Sequence, residues 1–495
     1  MSNYFKLQNG SDVRGVALEG VAGESVNLTN KETYYLAISF ATWLSVKLDR
    51  PVNTLKVAIG CDSRLSADSL KTGIFSGLAK LGVTPVECGI TSTPSTFMST
   101  IYDDINSDGG IMITASHLPF NKNGMKFFTK DGGLNKTDIK ALITGIDESI
   151  LYEENLTTVE SFDLVGRYSS HIVDIIRKGT GSERPLEGMK IIVDAGNGAG
   201  GFFAPKVLEV LGADTKGSQF LDPDGKFPNH IPNPEDKDAI NSIIKATLAT
   251  KADLGIIFDT DVDRAAVIDN TGKAINRNKL IALMSAITLD ENPGSTIVTD
   301  SVTSDGLTTF IESIGGKHHR YRRGYKNVID ESIRLNEQGI LSTLAIETSG
   351  HGAFSENYFL DDGAYIVTKI LIKLALLKKD GKNISDLIET LVEPKDEVAI
   401  RVKIDLDEFA DYGKNVLAKF NELVTTDDHY EIVTPNHEGI RVNYNFDGVK
   451  GWILVRMSLH DPVIPINIES IVDKGCDEAT KRVKEFLSGF DKLVQ

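Results

Sequence analysis

Four stretches of this chain bring together side chains able to do chemistry, and each lies where an apolar run stops. The first is IMITASHLPFNKNGMK (111–126). Ile111 to Ile113 reads as a buried strand that ends at Thr114-Ala115-Ser116-His117, with Gly124 and Lys126 soon after. Ligands of open α/β sheets bind outside the carboxyl ends of the strands. Ser116 therefore reads either as a nucleophile with a histidine and a cation at hand, or as a turn serine that satisfies its own backbone. The second stretch, DLGIIFDTDVDRAAVID (253–269), places Asp259, Asp261 and Asp263 directly after a strand, Leu254 to Phe258. Three carboxylates so close repel one another unless a cation neutralises them. An all-oxygen set suits a hard divalent ion such as Mg2+. A calcium loop of the EF-hand type needs glycine at its sixth position and glutamate at its twelfth, where this chain has Arg264 and Asn270. The plain alternative, a solvated acidic loop, sits badly between two apolar runs.

The third stretch is STLAIETSGHGAF (342–354). Glu347, Ser349 and His351 converge within five residues, and Gly350 and Gly352 allow a ligand close to the backbone. A carboxylate and a hydroxyl are partners for sugar hydroxyls, and His351 is able to move a proton. A glycine-rich turn with a satisfied histidine is the alternative. In the fourth stretch (439–470), Arg456, Ser458 and His460 alternate at the end of an apolar strand. That set holds a phosphate dianion, or else forms the polar face of an edge strand. Arg14, Arg64 and the group Arg322, Arg323 and Lys326 around Gly324 add basic side chains, read either as phosphate contacts or as a solvated face.

The elements that must position these loops repeat. KVAIGCDSRLSADSLKTGIFSGLAKLG, KIIVDAGNGAGGFFAPKVLEVLG and STIVTDSVTSDGLTTFIESIGG each read as strand, polar loop, helix and closing glycine, at Gly82, Gly212 and Gly315. The first predicts a strand near Lys56–Ile59 and a helix that Ser66 caps and Gly82 ends. The spacing is domain-sized, so three similar α/β domains stand in tandem. The last hundred residues differ. Strands are expected at 398–406 and in HYEIV, GIRVNY and GWILVRM, with helices at Phe409–Leu423 and Ile471–Leu487, which is an α+β domain. The expected boundaries are 1–158, 159–272, 273–390 and 391–495.

At 495 residues the chain is too long for one core. Its net charge of -17 argues against a nucleic-acid partner, though not against a local phosphate pocket. The scattered cysteines Cys61, Cys88 and Cys476 point to a reducing compartment. With neither a signal-like start nor an apolar run long enough to span a bilayer, a cytoplasmic protein without a membrane partner is expected.

Taken in order, the four stretches resemble the α-D-phosphohexomutase superfamily, closest to its phosphomannomutase/phosphoglucomutase branch. The family's T-A-S-H-N-P reads T-A-S-H-L-P here, its D-G-D-G-D-R reads D-T-D-V-D-R, its G-E-x-S-G-H reads I-E-T-S-G-H, and its R-P-S-G-T-E-P reads R-M-S-L-H-D-P. The resemblance covers essentially the whole chain. It implies three α/β domains with mixed sheets and a fourth α+β domain around a central cleft. It implies an intramolecular phosphotransfer between hexose 1-phosphate and hexose 6-phosphate, of mannose or glucose. The route is a phosphoserine at Ser116 and a hexose 1,6-bisphosphate, which also serves as activator.

By the same resemblance Asp259, Asp261, Asp263 and a phosphoserine oxygen hold Mg2+, and Arg264 supports that loop. Lys126, in N-G-M-K, is the general acid/base, with Arg14, His117 and His351 close by. Glu347, Ser349 and Gly350 meet the sugar, and Arg456, Ser458 and His460 hold the distal phosphate. Arg64 and Lys326 are further candidate substrate contacts. The partners are small hexose phosphates, and the protein is a monomer or a homodimer. The departures are Leu118 for an asparagine, Leu459 for a glycine and His460 for a threonine, so phosphate grip is expected to lean on Arg456 and His460. A phosphoglucosamine mutase of the same superfamily and a catalytically silent sugar-phosphate binder are the alternatives. A serine hydrolase would need G-x-S-x-G, which T-A-S-H-L does not offer.

Overall fold

A computed structural model describes residues 3–155, 159–406, 408–458 and 461–494. The chain divides into two compact units, Met1–Leu280 with Ser349–Asp386, and Ile281–Thr348 with Leu387–Gln495. In the first unit the apolar run Lys56–Cys61 is the centre of an eight-stranded sheet. It pairs in parallel with Thr84–Ile90 on one side and with Gly109–Ile113 on the other. Lys122–Thr129 runs antiparallel to Gly109–Ile113, and Asp12–Val16 antiparallel to Lys122–Thr129, so the sheet is mixed. Its inner strands Lys56–Cys61 and Gly109–Ile113 are almost wholly buried, as expected of parallel strands covered on both faces. Tyr34, Phe40 and Leu44 of the helix Asn30–Leu48, with Leu70, Ile74 and Leu78 of Ala67–Lys80, pack against Val57, Ile59, Ile111 and Phe127. Each such side chain contributes roughly 1.5–3 kcal/mol by leaving water.

The second sheet of this unit pairs Leu254–Phe258 in parallel with Ile191–Asp194 and antiparallel with Ala265–Asp269. The register Phe258↔Ala265 closes a hairpin over residues 259–264. The helix Gly363–Lys379, capped by the Asp362 side chain, packs beside Leu164–Thr180.

The second unit pairs Thr296–Thr299 in parallel with Lys317–Arg320 and Leu344–Ile346. It also holds a six-stranded antiparallel sheet in the order Tyr430–Ile432, Ile440–Phe446, Val449–Val455, Val463–Ser470, Asp396–Ile404 and Leu493–Val494. Helices Ala410–Thr426 and Asp477–Leu487 cover one face, with Phe420, Val424 and Val483 over Val402, Ile453 and Ile466. Among the described residues no helix is long and apolar enough to cross a membrane.

Local departures from the sequence reading have physical causes. Ser66 does stand before the first repeat helix, but with φ −83° and ψ −3° its backbone is already helical and its hydroxyl caps nothing. That hydroxyl accepts from Asn123 Nδ2 instead, at 2.8 Å. The second repeat helix is wide-turned over Ala204–Leu208, where Glu209 N–H reaches back five residues to Ala204. Pro205 stands in its first turn, a position where proline's missing N–H is tolerated. The sequence reading does not include strand Val463–Ser470, which carries Pro465 inside a sheet where proline is rare. Pro465 accepts from Arg456 N–H at 3.2 Å and forfeits only the return bond. The closing helix begins at Asp477, six residues later than its apolar pattern.

Gly363 lies against the hairpin turn: a Cβ there would stand 2.6 Å from the Arg264 carbonyl carbon and 2.9 Å from its nitrogen. Backbone cannot yield as a side chain does, so Gly363→Ala is expected to cost about 1–3 kcal/mol. Denaturant unfolding measures it, and an unchanged midpoint would show that the turn has room.

Candidate functional site

The hairpin turn of the first unit buries Asp259, Asp261 and Asp263 completely. One oxygen from each lies within 4.8 Å of the others. The turn is clamped through its own carbonyls: Thr260 accepts from Ala199 N–H at 2.7 Å, Asp261 from Thr93 N–H at 2.8 Å, and Val262 from Gly363 N–H at 3.1 Å. These bonds hold Val262 at φ 66°, a costly conformation for a β-branched residue. Basic groups from three elements answer the charge. Arg264 Nε is 3.2 Å from Asp259 Oδ2, Lys126 Nζ is 2.7 Å from Asp263 Oδ2, and His351 Nδ1 is 4.0 Å from Asp263 Oδ1.

Burial pushes the Asp259 pKa well up, and repulsion from Asp263 and Asp261 adds to it. Burial acts the same way on Asp263, but Lys126, His351 and Arg264 outweigh it and hold that carboxyl well below the usual range. Even so, Asp261 Oδ1 and Asp263 Oδ1 are buried without a hydrogen-bond partner among the described residues. Leaving such oxygens unmatched is expensive. An all-carboxylate set with spare oxygens fits a hard divalent cation.

Ser116 stands just past the strand Gly109–Ile113 with φ 48°, its N–H bonded to Thr114 Oγ1 at 2.9 Å. Its hydroxyl donates to Asp259 Oδ2 at 3.0 Å, across 143 positions of sequence. Arg264 Nη2 donates to His117 Nδ1 at 2.6 Å and lies 3.4 Å from Ser116 Oγ. A guanidinium only donates, so Nδ1 is an acceptor and the imidazole proton sits on Nε2. Desolvation, then the Arg264 charge, push the His117 pKa down. Ser116 Oγ is 3.4 Å from that same Nδ1, whose lone pair is already engaged. The serine therefore has a carboxylate partner and not an imidazole base.

Arg64 is 2% exposed and holds the serine loop from beneath. Its Nη1 donates to the carbonyls of Pro119 and Lys122, both at 2.8 Å, and its Nη2 to those of Ser116 and Leu118, both at 2.5 Å. Arg14 Nη1 donates to the Thr114 carbonyl at 2.5 Å, and its Nη2 pairs with Asp12 at 2.7 Å. Arg14 stands opposite Gly124 in the sheet. A Cβ on Gly124 would meet the Val13 carbonyl at 2.2 Å, so the strand carrying Lys126 needs a glycine there.

His351 precedes the strand Gly352–Phe354, and the return strand Leu360–Asp361 brings Asp361 back to it. His351 Nδ1 is 2.5 Å from Asp361 Oδ2. Burial alone would lower the His351 pKa, but Asp361 and Asp263 outweigh it and raise it. A backbone bridge joins His351 to Arg264. Gly350 has φ 96°, which only glycine adopts freely, and Ser349 is buried beside it. The first unit thus brings Arg14, Ser116, His117, Lys126, the three aspartates, Arg264 and His351 into one connected set.

In the second unit Glu347 ends the strand Leu344–Ile346 and accepts Gly324 N–H at 2.6 Å, at the start of the helix Tyr325–Glu337. Arg456 ends Val449–Val455, is 8% exposed, and its Nη1 lies 3.6 Å from Glu438 Oε1. Ser458 N–H donates to Val463 at 2.9 Å, and its hydroxyl accepts Asp461 N–H at 3.2 Å. Leu459 and His460 lie outside the described residues. Lys326 pairs with Asp330 one turn along its own helix, at 2.8 Å and partly exposed. Sequence reasoning missed Thr93, whose hydroxyl reaches Asp261 Oδ2 at 2.5 Å, and Asn233, which takes Arg264 Nη1 at 3.2 Å. It also missed Asp361 and Glu438. Only Asp361 left a trace in the sequence, as one of two acids ahead of a helix.

A hydroxyl bonded to a cation-ligating type of carboxylate, with guanidinium, ammonium and imidazole close by, suits phosphoryl transfer. That chemistry asks for positioning and charge compensation. Arg64→Lys is expected to cost about 2–4 kcal/mol, because an ammonium cannot serve four carbonyls at once. Urea unfolding and hydrogen exchange over residues 116–122 check it, and unaltered exchange in that loop would contradict the role.

Comparison with known proteins agrees with this geometry. Residues 6–153, 166–272 and 276–394 match the models for phosphoglucomutase/phosphomannomutase alpha/beta/alpha domains I, II and III, in that order. A phosphomannomutase/phosphoglucomutase of Pseudomonas putida is 30% identical over 431 residues, 87% of this chain and 86% of that protein. A crystal structure of a phosphoglucomutase/phosphomannomutase family protein from Burkholderia thailandensis superposes with a TM-score of 0.77 and 25% identity, over 98% of this chain and 97% of that one. An Aspergillus fumigatus N-acetylphosphoglucosamine mutase, solved with GlcNAc-6P and magnesium, shares the fold at a TM-score of 0.54 and 16% identity, covering 89% and 84% of the two chains. Three family models in register, a relative of that identity and extent, and a serine loop wired to a carboxylate trio lead to one conclusion: the chain belongs to the phosphoglucomutase/phosphomannomutase family of the α-D-phosphohexomutase superfamily.

Proposed function

We propose that the chain interconverts hexose 1-phosphates and hexose 6-phosphates, of mannose and glucose, by passing a phosphoryl group to and from Ser116. The observation that carries this is the hydrogen bond from Ser116 Oγ to Asp259 Oδ2 within the buried carboxylate trio. Each of the segments 1–158, 159–272, 273–390 and 391–495 contributes one loop. Asp259, Asp261, Asp263 and an oxygen on Ser116 would hold Mg2+, which when bound draws charge from the phosphoryl oxygens. Arg264 keeps the aspartate loop and His117 in place. Lys126, paired with Asp263, moves the proton at the reacting sugar hydroxyl, with Arg14 and His351 beside it. Arg64 contributes by fixing the serine loop.

Glu347 and Ser349 take sugar hydroxyls, and Gly350 lets the sugar come close. Arg456 and Ser458, with His460 and Lys326, hold the phosphate that is not reacting. The hexose 1,6-bisphosphate turns over between the half-reactions and primes Ser116 as activator, so both of its orientations use the same sugar and phosphate groups. Cys61, Cys88 and Cys476 are free and buried, in keeping with the reducing cytoplasm we assign to it.

The test is a coupled assay on mannose-1-, glucose-1- and glucosamine-1-phosphate, primed with a trace of glucose 1,6-bisphosphate, alongside intact-mass measurement. Turnover of the first two is expected, with one phosphate on the native chain and none on Ser116→Ala, and with loss of activity on chelation. Turnover of glucosamine-1-phosphate alone would move the assignment to phosphoglucosamine mutase. Turnover of none, with no phosphate on Ser116, would leave only a binding protein. His117→Asn is expected to lower kcat by no more than about 10-fold. The roughly 10⁶-fold drop that follows loss of a hydrolase's histidine base would contradict the assignment.

A further inference from the structure

Glu438 belongs to none of the four loops, yet the groups around Arg456 converge on it. It lies in the turn that leads into Ile440–Phe446, next to Gly439 with φ 59°. A Cβ on Gly439 would stand 2.2 Å from the Val455 carbonyl and 2.7 Å from Arg456 Cβ, so the glycine lets this turn press against the Arg456 strand end. Glu438 Oε2 accepts from Arg323 N–H at 3.1 Å and from the Ser301 hydroxyl. Its Oε1 faces Arg456 Nη1 at 3.6 Å, an ion pair too long for a hydrogen bond. Arg456 Nε is buried and has no hydrogen-bond partner among the described residues. The guanidinium is therefore neutralised by a carboxylate while it keeps donors to spend.

The groups on Glu438 are those that bind phosphate: a guanidinium, a hydroxyl and a backbone N–H at the mouth of a helix. The next N–H in that mouth, of Gly324, goes to Glu347. Within the second unit two carboxylates thus already sit on the anion-binding groups.

We infer that Glu438 is an internal counter-anion with which a substrate phosphate at Arg456 must compete, and that it sets how readily that phosphate lets go. The inference rests on the phosphohexomutase reading, in which a doubly phosphorylated sugar has to release and turn between half-reactions. A carboxylate beside the guanidinium repels a bound dianion, so it loosens the distal phosphate and speeds the turn. Glu438 is a positioning residue in this scheme. It touches Arg456 and the Ser301–Arg323 cradle, and it shapes the site through charge.

Glu438→Gln keeps the shape and the acceptor oxygen while removing the charge. For the Mg2+-loaded enzyme, KM for glucose 1-phosphate and the inhibition constant of inorganic phosphate are both expected to fall about 3- to 10-fold, with kcat falling alongside KM. A rise in KM at unchanged kcat would overturn the inference, because it would mean that Glu438 only orients Arg456. Unchanged constants would overturn it as well. Glu438→Asp retains the charge and is expected not to lower KM; a fall as large as that with glutamine would defeat the charge argument. Arg456→Lys separates the two levels. If it raises KM while Glu438→Gln changes nothing, the inference alone fails; if it leaves KM unchanged, the phosphate assignment of Arg456 fails with it.

Discussion

Three carboxylates shut away from water in one hairpin turn are the constraint around which the first unit is built. Each would be costly to bury alone, and together they repel. The turn is tolerable because Arg264 comes from its own end, Lys126 from an inner strand of another sheet, and His351 from just ahead of a strand nearly ninety positions on. The same cations define the surroundings of Ser116. Arg264 Nη2 commits the His117 lone pair, and Asp259 accepts the serine hydrogen bond. The demand for charge balance and the arrangement of the candidate site are thus one problem with one solution. The strain at Val262 belongs to it, since three backbone clamps on consecutive carbonyls over-determine that residue.

Buried arginines recur as the means by which irregular loops are kept inside. A loop away from water must satisfy its carbonyls, and one guanidinium serves several at fixed angles. Arg64 does this for the serine loop with four carbonyls. In the second unit Arg441 lies 3.8 Å from the Trp452 ring, donates to the Ser301 carbonyl at 2.9 Å and pairs with Asp305 at 3.0 Å. Ser301 in turn bonds Glu438. Arg441 therefore holds the cradle that presents Glu438 to Arg456, as Arg64 holds the loop that presents Ser116 to Asp259. In both places a residue that resembles a ligand contact by type is spent on backbone.

Much of the fold could be read from the sequence because it rests on local rules. Apolar runs ending in polar loops predicted the strands Lys56–Cys61, Leu254–Phe258 and Thr296–Thr299 near where they stand. Rules failed where tertiary packing decides. The Ser66 hydroxyl was drawn to Asn123, and Pro465 was accepted into a central strand because its carbonyl still finds Arg456. The turns around Pro205 widened where a regular helix was expected.

For the site the division falls between kind and partner. Which chemistry is present can be read along the chain: a serine at a strand end, an aspartate triplet with the oxygen donors of a hard cation, and arginine and glutamate at later strand ends. Strand ends and two-residue spacing are properties of neighbouring positions, so they show in one dimension. It takes the folded chain to show that Ser116 bonds Asp259 and not His117, that His351 is held by Asp361, that Arg64 serves carbonyls, and that Arg456 faces Glu438. Those pairings depend on ångström-scale distances between residues from separate elements of the chain, where desolvation and charge, and not residue type, settle which proton and which lone pair is free.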